Sequence, residues 1–289
     1  MLKRLHWGVS IALFGVAVLL STVLWRDAQG EKVSEVKFVL GENIVKTAEA
    51  SGVPRFNARN IDGLVSYSVN NIPRDISVRY AKPGYDITLQ PVFGFRMYAD
   101  KDTHPDLRVD TVDLQLDLRN MTDEQAQAFV ESTIAQFQKG KWRRYANPEE
   151  DILLTGRSSY LDENGQIEWG ANTIDPNYKI PMQDWLVLSG SAIWHWVGDG
   201  VLAKLTVNNS PGQDNKPAYR MSLEFELLDV KLKRDAENLA RDLKEGDAKG
   251  WDSTAQYLAD KQKRTAQLRA REANAIRRGD QVLPTPLLD

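Results

Sequence analysis

The sequence predicts a mixed α+β protein in three parts, and three observations carry that prediction. An uncharged apolar run fills most of residues 1–26, apolar and polar residues alternate through much of residues 27–230, and helix-forming residues replace β-branched ones over residues 231–289. Strict alternation is typical of half-buried strands, and one helix among such strands indicates a mainly antiparallel sheet with a packed amphipathic helix. We therefore expect a transmembrane helix, an α+β domain and a charged helical C-terminal extension.

The N-terminal run has the length and the flanks of a membrane anchor. Lys3 and Arg4 precede an uncharged stretch from Trp7 to Trp25. About 19 helical residues span roughly 29 Å, close to the ~30 Å hydrocarbon core of a bilayer. Lys3 and Arg4 would stay cytoplasmic, and Trp7 and Trp25 would mark the two headgroup levels. Because no small-residue cleavage site follows, an uncleaved signal anchor is favoured over a signal peptide. The sequence thus predicts a single-pass inner (plasma) membrane protein whose bulk is extracytoplasmic, which in a bacterium is periplasmic.

Strands are predicted where apolar residues alternate with polar ones. The clearest runs are residues 112–118 and 219–227, in which every second residue is polar or charged. Residues 87–97 also alternate, but Pro91 lies within them and cannot donate to a ladder, so we expect an edge position, a bulge or two shorter strands there. Hairpin turns are expected at residues 162–165 and 198–200, where Asp, Asn and Gly cluster.

One amphipathic helix is predicted between the strands. Thr122 is a favourable N-cap, and Gln125 three residues later completes a capping box. Gly140 marks the expected end of the helix. Its apolar residues recur at helical spacing, which predicts that one face packs on the sheet: Phe129, Val130, Ile134 and Phe137.

The C-terminal extension is predicted to contain two helices. The first is expected over Asp235 to Glu245 with a stop at Gly246, and the second from Ser253, as N-cap, to Gly279. The second carries few large apolar residues among many basic ones: Leu258, Leu268 and Ile276. Such a helix is expected to pack weakly and to present a solvated basic face, or else to dock on an acidic surface.

Composition excludes several classes of function. The formal net charge of -3 argues against a nucleic-acid binder, which usually has a basic face. The chain has no cysteine, so disulfides, thiol nucleophiles and thiolate metal sites are excluded. No glycine-rich phosphate loop occurs, and no histidine pair has metal-ligand spacing. We expect no cofactor, no metal and no nucleic-acid partner.

His195 and Asp199 are the weak catalytic candidates. In a strand, the His195 ring would point away from the neighbouring Trp194 and Trp196, and Asp199 follows in the expected turn. An aspartate can orient a histidine base, but no serine elbow supplies a nucleophile. A structural histidine is therefore favoured over a catalytic one.

Tryptophan and arginine residues provide the candidates for partner binding. Trp194 and Trp196 would share one face of a strand, and an exposed pair of indoles would favour an interface. Trp142, Arg143 and Arg144 follow the predicted helix and could contact lipid headgroups or an acidic partner. Burial in the core is the competing interpretation for each tryptophan.

Taken together, these features favour a membrane-anchored protein-binding module that faces the periplasm. In layout it resembles immunity proteins that neutralise secreted toxins and accessory subunits of secretion or envelope complexes. The alternative is an envelope hydrolase or carbohydrate-binding protein that uses His195, Asp199 and the nearby tryptophans. A third possibility is a structural role in which the terminal helix braces a membrane complex. The expected partners are the membrane and a protein.

Overall fold

The computed structural model describes Trp25 and residues 32–118, 120–188, 190–211 and 217–286. Within these residues the protein is a mixed α+β fold with a large antiparallel sheet, as the sequence predicts, and it has five helices, of which those at Ile44–Ala50 and Met182–Leu188 were not predicted. Lys3, Arg4 and Trp7, and with them the predicted membrane anchor, lie outside the described residues. None of the helices in the described ranges is long and apolar enough to cross a membrane.

Trp25 is placed differently from the sequence-based expectation. Its side chain is partly buried against the hydrophobic core, and its carbonyl oxygen accepts a hydrogen bond from Val33 N at 3.1 Å. We expected this indole at a membrane headgroup level, whereas the structure packs it on the domain.

The strands form one eight-stranded sheet and two smaller ones. The large sheet has the order β2-β3-β6-β7-β12-β11-β10-β8 and is antiparallel throughout. A second sheet has the order β1-β4-β5, with β1 parallel to β4, and a third pairs β13 with β9. The strands are β1 (Glu35–Phe38), β2 (Asn57–Ile61), β3 (Leu64–Asn70), β4 (Ser77–Tyr80), β5 (Ile87–Leu89), β6 (Gly94–Asp100), β7 (Thr111–Leu118), β8 (Arg143–Arg144), β9 (Leu153–Leu154), β10 (Ala192–Gly198), β11 (Val201–Pro211), β12 (Pro217–Leu227) and β13 (Val282–Leu283).

The alternation of apolar residues determines how the central strands pair. Leu114 of β7 pairs with Leu223 of β12, which pairs with Leu205 of β11, and all three are buried. The run with Pro91 forms two strands, β5 and β6, which belong to different sheets. The prediction of two shorter strands there is confirmed. Pro91 interrupts the ladder because it has no N–H to donate.

The helices pack on this framework at different places along the chain. They are α1 (Ile44–Ala50), α2 (Asp123–Lys139), α3 (Met182–Leu188), α4 (Leu228–Ala248) and α5 (Ser253–Arg278), with a 3₁₀ turn at Gly156–Tyr160. The capping box of α2 is formed: Thr122 Oγ1 accepts from Gln125 N at 3.3 Å, and Gln125 Oε1 accepts from Thr122 N at 2.9 Å. Gly140 is the C-cap, so both predicted ends of this helix are confirmed.

The C-terminal helices differ from prediction at three of their four ends. Helix α4 begins at Leu228, directly after β12, because Leu228 and Val230 are buried against the domain. It continues through Gly246, where an added Cβ would lie 2.0 Å from Ser253 Oγ. Gly246 therefore permits close packing of the α4–α5 turn and does not stop the helix. Asp252, and not Ser253, caps α5, because Asp252 Oδ1 accepts from Ala255 N at 3.0 Å.

Candidate functional site

His195 and Asp199 lie on one hairpin but are not assembled into a catalytic pair. His195 sits on β10 opposite Lys204 of β11. Burial, together with repulsion from Lys204 and Lys231, lowers the pKa of His195 to about 3, so its ring is neutral at ordinary pH. Asp199 occupies the turn and forms an ion pair with Lys82, with 2.7 Å between Oδ2 and Nζ. These contacts are those of a structural histidine and a turn aspartate.

The strand face that carries Trp194 and Trp196 is not exposed in the part of the chain that the structure describes. Trp194 and Trp196 are 1% and 2% exposed, and Trp142 is also buried. Trp196 stacks on Phe137 of α2 with ring centroids 4.0 Å apart, so the aromatic face of β10 is covered by that helix. The prediction that these indoles contact a partner is therefore corrected, because they fill the core.

The Arg144 side chain is also largely buried, whereas Arg143 is exposed. The Arg144 guanidinium donates to the Thr173 carbonyl oxygen and lies 3.9 Å from an Asp175 carboxylate oxygen. Burial lowers its pKa to about 10, and the nearby charges of Asp175 and Asp151 oppose that shift. The predicted partner-binding cluster is thus divided, since Arg144 contributes to a buried polar network.

That network extends to the C-terminal helix, which sequence reasoning expected to pack weakly. Arg271 of α5 is 7% exposed, and its Nη1 lies 2.9 Å from Asp151 Oδ1. Its Nε donates to the Leu161 carbonyl oxygen at 3.1 Å, and Thr173 Oγ1 donates to the other oxygen of Asp151 at 2.9 Å. Of the three large apolar residues that the sequence offers on this helix, Leu258 and Ile276 are exposed and Leu268 is half-buried. A buried ion pair, not an apolar stripe, therefore fixes α5.

An exposed apolar surface lies at the end of α3. Trp169 is 85% exposed, and Leu186 and Val187 on the last turn of α3 are 50% and 60% exposed. A Cβ on Gly190, two residues after the helix, would lie 3.4 Å from Trp169 Nε1, which places the indole beside the helix end. We call Trp169, Leu186 and Val187 the Trp169 surface. Large apolar side chains grouped in water are typical of interaction sites.

The opposite side of α3 faces the interior and is held by directed contacts. Asp184 Oδ2 accepts from Arg157 Nε and from Tyr160 Oη, each at 2.7 Å. The Arg157 guanidinium lowers the pKa of Asp184, so this buried carboxylate is charged. Trp185 Nε1 donates to Tyr219 Oη at 3.1 Å. These contacts hold the short helix, and with it Leu186 and Val187, in one orientation.

A cleft of about 270 Å³ lies on the inner side of α3. One wall is α2 and the other is residues 176–180, and Trp185 and Trp194 are among the lining residues. Gln127 Nε2 of α2 donates to the Ile180 carbonyl oxygen at 2.7 Å, and Gln138 Nε2 donates to the Pro176 carbonyl oxygen at 2.9 Å. We call this feature the α2 cleft.

The Trp169 surface and the α2 cleft were both missed by sequence reasoning. Trp169 stands alone in a loop sequence, and its proximity to Leu186 and Val187 depends on the tertiary fold. No protein-family model matches the chain, and no curated protein and no solved structure matches it. Function is therefore argued from these local geometries.

Proposed function

We propose that this chain is a membrane-anchored protein-binding module of the cell envelope, and that its partner docks on the Trp169 surface. The single observation that carries the proposal is that Trp169, which lies beside Gly190 just after α3, and Leu186 and Val187, on the last turn of that helix, are all exposed to water. A tryptophan that is 85% exposed contributes little to the hydrophobic core. Tryptophan is, however, enriched among the interface residues that contribute most to the free energy of binding.

The support of α3 favours an interface over an incidental patch. Asp184 and Trp185 anchor the helix from inside by four hydrogen bonds, so the outward side chains next to them are pre-organised. Association costs less free energy when the binding groups are already ordered, and a rigid helix face provides that order.

The membrane part of the proposal rests on the sequence. The apolar run that follows Lys3 and Arg4 supplies the anchor, with those two residues on the cytoplasmic side, and the domain, on which Trp25 packs, then faces the periplasm or its equivalent. A tethered domain of this layout fits an immunity protein that neutralises a secreted toxin, or an accessory subunit of a secretion complex. A discrete protein partner is common to both roles.

Photo-crosslinking from the Trp169 surface tests the proposal. A benzophenone amino acid replaces Trp169 in the full-length protein in its native membrane, and in a matched control it replaces Trp251, which is 60% exposed on the α4–α5 turn. We expect one protein adduct of defined mass from position 169 and not from position 251. The same partner should be lost from mild-crosslinking purification of Trp169→Ala and retained with Trp251→Ala. Equal adducts from both positions, or lipid adducts alone from position 169, would contradict the proposal.

A further inference from the structure

Strand β2 is one of the two edge strands of the eight-stranded sheet, and among the described strands it pairs with β3 alone. Every residue of Asn57–Ile61 is exposed, and no proline interrupts the strand. An edge strand presents a row of backbone N–H and C=O groups to any extended segment, and folded proteins usually shorten, cover or bend such an edge. Strand β2 is therefore long and open enough to accept a further strand.

The hairpin turn determines which backbone groups of β2 face outward. Asp62 and Gly63 form this turn with φ of 48° and 88°, and a type I′ turn requires positive φ at both positions. A two-residue turn makes the flanking residues a hydrogen-bonded pair, and such pairs alternate along an antiparallel ladder. Counting back from the turn, Arg59 bonds to β3, whereas Ala58 and Asn60 direct their N–H and C=O groups away from it. No described residue bonds to these four groups.

The other edges of the two larger sheets are shortened or covered. At the far end of the large sheet, the edge strand β8 has only two residues. In the three-stranded sheet, Lys37 N of β1 donates to the Ser51 carbonyl oxygen at 3.0 Å. The side-chain amide of Gln136 covers β5, because its Oε1 accepts from Thr88 N at 2.8 Å and its Nε2 donates to the Thr88 carbonyl oxygen at 2.9 Å. Among the described residues, β2 thus differs from the other edges of these sheets.

The side chains beside the open edge are basic. Arg59 lies on β2, Arg55 lies two residues before the strand, and both are exposed. Neither guanidinium forms an ion pair with a described residue. Opposite charges on neighbouring strands stabilise their pairing, and like charges oppose it. An incoming strand with carboxylates beside these two arginines is therefore favoured, whereas a second copy of β2 would bring two more arginines to the same edge.

We propose that β2 binds an extended acidic segment of another protein by strand addition. The backbone of that segment pairs with the outward groups of Ala58 and Asn60, and its carboxylates lie beside Arg55 and Arg59. The exposed Asp62 in the turn repels carboxylates at the other end of the strand, which restricts the acidic residues of the partner to the Arg55 end.

This site is separate from the Trp169 surface. Ala171, two residues after Trp169, forms a β-bridge with Ala192 of β10, and β10 is six strands away from β2 in the sheet order. At about 4.8 Å per strand, the two sites lie roughly 29 Å apart across the sheet. The inference therefore goes beyond the proposed function, and either can fail without the other.

Titration with a defined peptide tests the proposal. The full-length protein, labelled with ¹⁵N in neutral detergent micelles, is titrated with a capped peptide of valine and threonine that carries two glutamates at the spacing of Arg55 and Arg59. We expect a dissociation constant below about 0.1 mM. Amide exchange with water should slow at Ala58 and Asn60 and stay unchanged at Arg59, which already bonds to β3. No slowing at about 1 mM peptide, ten times that dissociation constant, would overturn the proposal.

A matched peptide tests the charge of the partner. It has lysine in place of both glutamates, and we expect it to bind roughly tenfold more weakly, because two attractive contacts become repulsive. Equal affinity for the two peptides would contradict the assignment of an acidic partner segment.

Variants of the protein separate the backbone from the charge. Ala58→Pro removes an outward N–H and leaves the ladder to β3, a position at which edge strands tolerate proline. It should weaken binding of the glutamate peptide about fivefold, whereas Ala58→Ser keeps the N–H and should bind normally. Arg59→Glu should reverse the preference between the two peptides, and Arg269→Glu and Trp169→Ala should leave it unchanged. Unchanged binding in both Ala58→Pro and Arg59→Glu would contradict the proposed site.

Sedimentation velocity in the same micelles tests the competing occupant. We expect the parent chain and Ala58→Pro to have the same mass. A parent dimer that becomes monomeric with Ala58→Pro would show that a second copy of the chain occupies the open edge, which would overturn the assignment of a different partner.

Discussion

Helices α2 and α5 are attached to the same domain by opposite kinds of interaction. Helix α2 packs through apolar side chains, with Phe137 completely buried and stacked on Trp196. Helix α5 is held by Arg271, whose guanidinium is 7% exposed and paired with Asp151. Apolar attachment is stabilised by removal of surface from water, whereas polar attachment depends on matched partners at fixed positions. The two helices should therefore respond differently to substitution and to pH.

The largest loss of stability is expected from the apolar attachment. Phe137→Ala removes an entirely buried ring and leaves a cavity between α2 and Trp196. We expect the free energy of unfolding to fall by about 4 kcal/mol. Urea denaturation followed by tryptophan fluorescence measures the change. Phe93→Ala is the matched control, because Phe93 is 42% exposed and should cost less than about 1 kcal/mol. Equal losses from the two variants would show that α2 is not held by its apolar face.

A somewhat smaller loss is expected from the polar attachment. Arg271→Met keeps much of the side-chain volume but leaves the buried Asp151 carboxylate without its charged partner, at a cost of about 3 kcal/mol. Arg269→Ala, on an exposed position of the same helix, should change stability by less than about 0.5 kcal/mol.

A second substitution identifies the cause of that loss. Asp151→Asn in the Arg271→Met background removes the unpaired charge and should restore part of the stability, because a neutral amide costs less to bury. If Arg271→Met alone were as stable as the parent chain, the ion pair would not be what fixes α5.

The same contrast explains which parts of the fold could be predicted from sequence. Period-2 alternation and the Thr122 capping box are local patterns, so β7, β12 and both ends of α2 were predicted. The docking of α5 could not be predicted, because Arg271 and Asp151 are 120 residues apart in the sequence. No local pattern distinguishes them from solvated charges. The start of α4 was missed for a related reason: Leu228 and Val230 alternate with Asp229 as strand residues do, although in the opposite phase to β12, so period-2 alternation does not show that the strand ends at Leu227.

The candidate site was less predictable than the fold. The sequence singled out Trp194 and Trp196 for their shared strand face, but whether such a face is covered depends on where α2 packs. The sequence did not single out Trp169, because the other two residues of the Trp169 surface, Leu186 and Val187, lie on α3 and not in its own loop. The exposure of Trp169 is a property of tertiary structure, and composition does not reveal it.

Acidification should lower the free energy of unfolding through His195, which lies on β10. His195 of β10 lies near Lys204 and Lys231 and has a pKa of about 3 in the folded protein, against 6.5 for an ordinary histidine. Between these values the unfolded chain binds a proton that the folded chain excludes. The stability contributed by His195 is therefore fully present above pH 6.5 and decreases as the pH falls. From pH 7.5 to pH 5 the contribution of His195 is a loss of at most about 2 kcal/mol.

His195→Gln isolates this contribution from that of the carboxylates. The unfolding free energy of each chain is measured from pH 7.5 to pH 5, and the difference between the two profiles reports His195 alone. We expect the parent chain to lose more stability than the variant over this range. Parallel profiles would mean that His195 titrates normally in the folded protein.

The smallest expected effect compares the N-caps of the two helices. Thr122→Ala removes the oxygen that accepts from Gln125 N, and Asp252→Ala removes the one that accepts from Ala255 N, each worth about 1 kcal/mol to its own helix. In α2 the whole loss should appear in global unfolding, because the apolar face couples the helix to the sheet. In α5 the first turn is mostly exposed and opens locally, so Asp252→Ala should lower the global stability by less than about 0.5 kcal/mol and instead speed amide hydrogen exchange near residue 255. Equal global losses from the two variants would show that polar docking couples α5 to the domain as tightly as apolar packing couples α2.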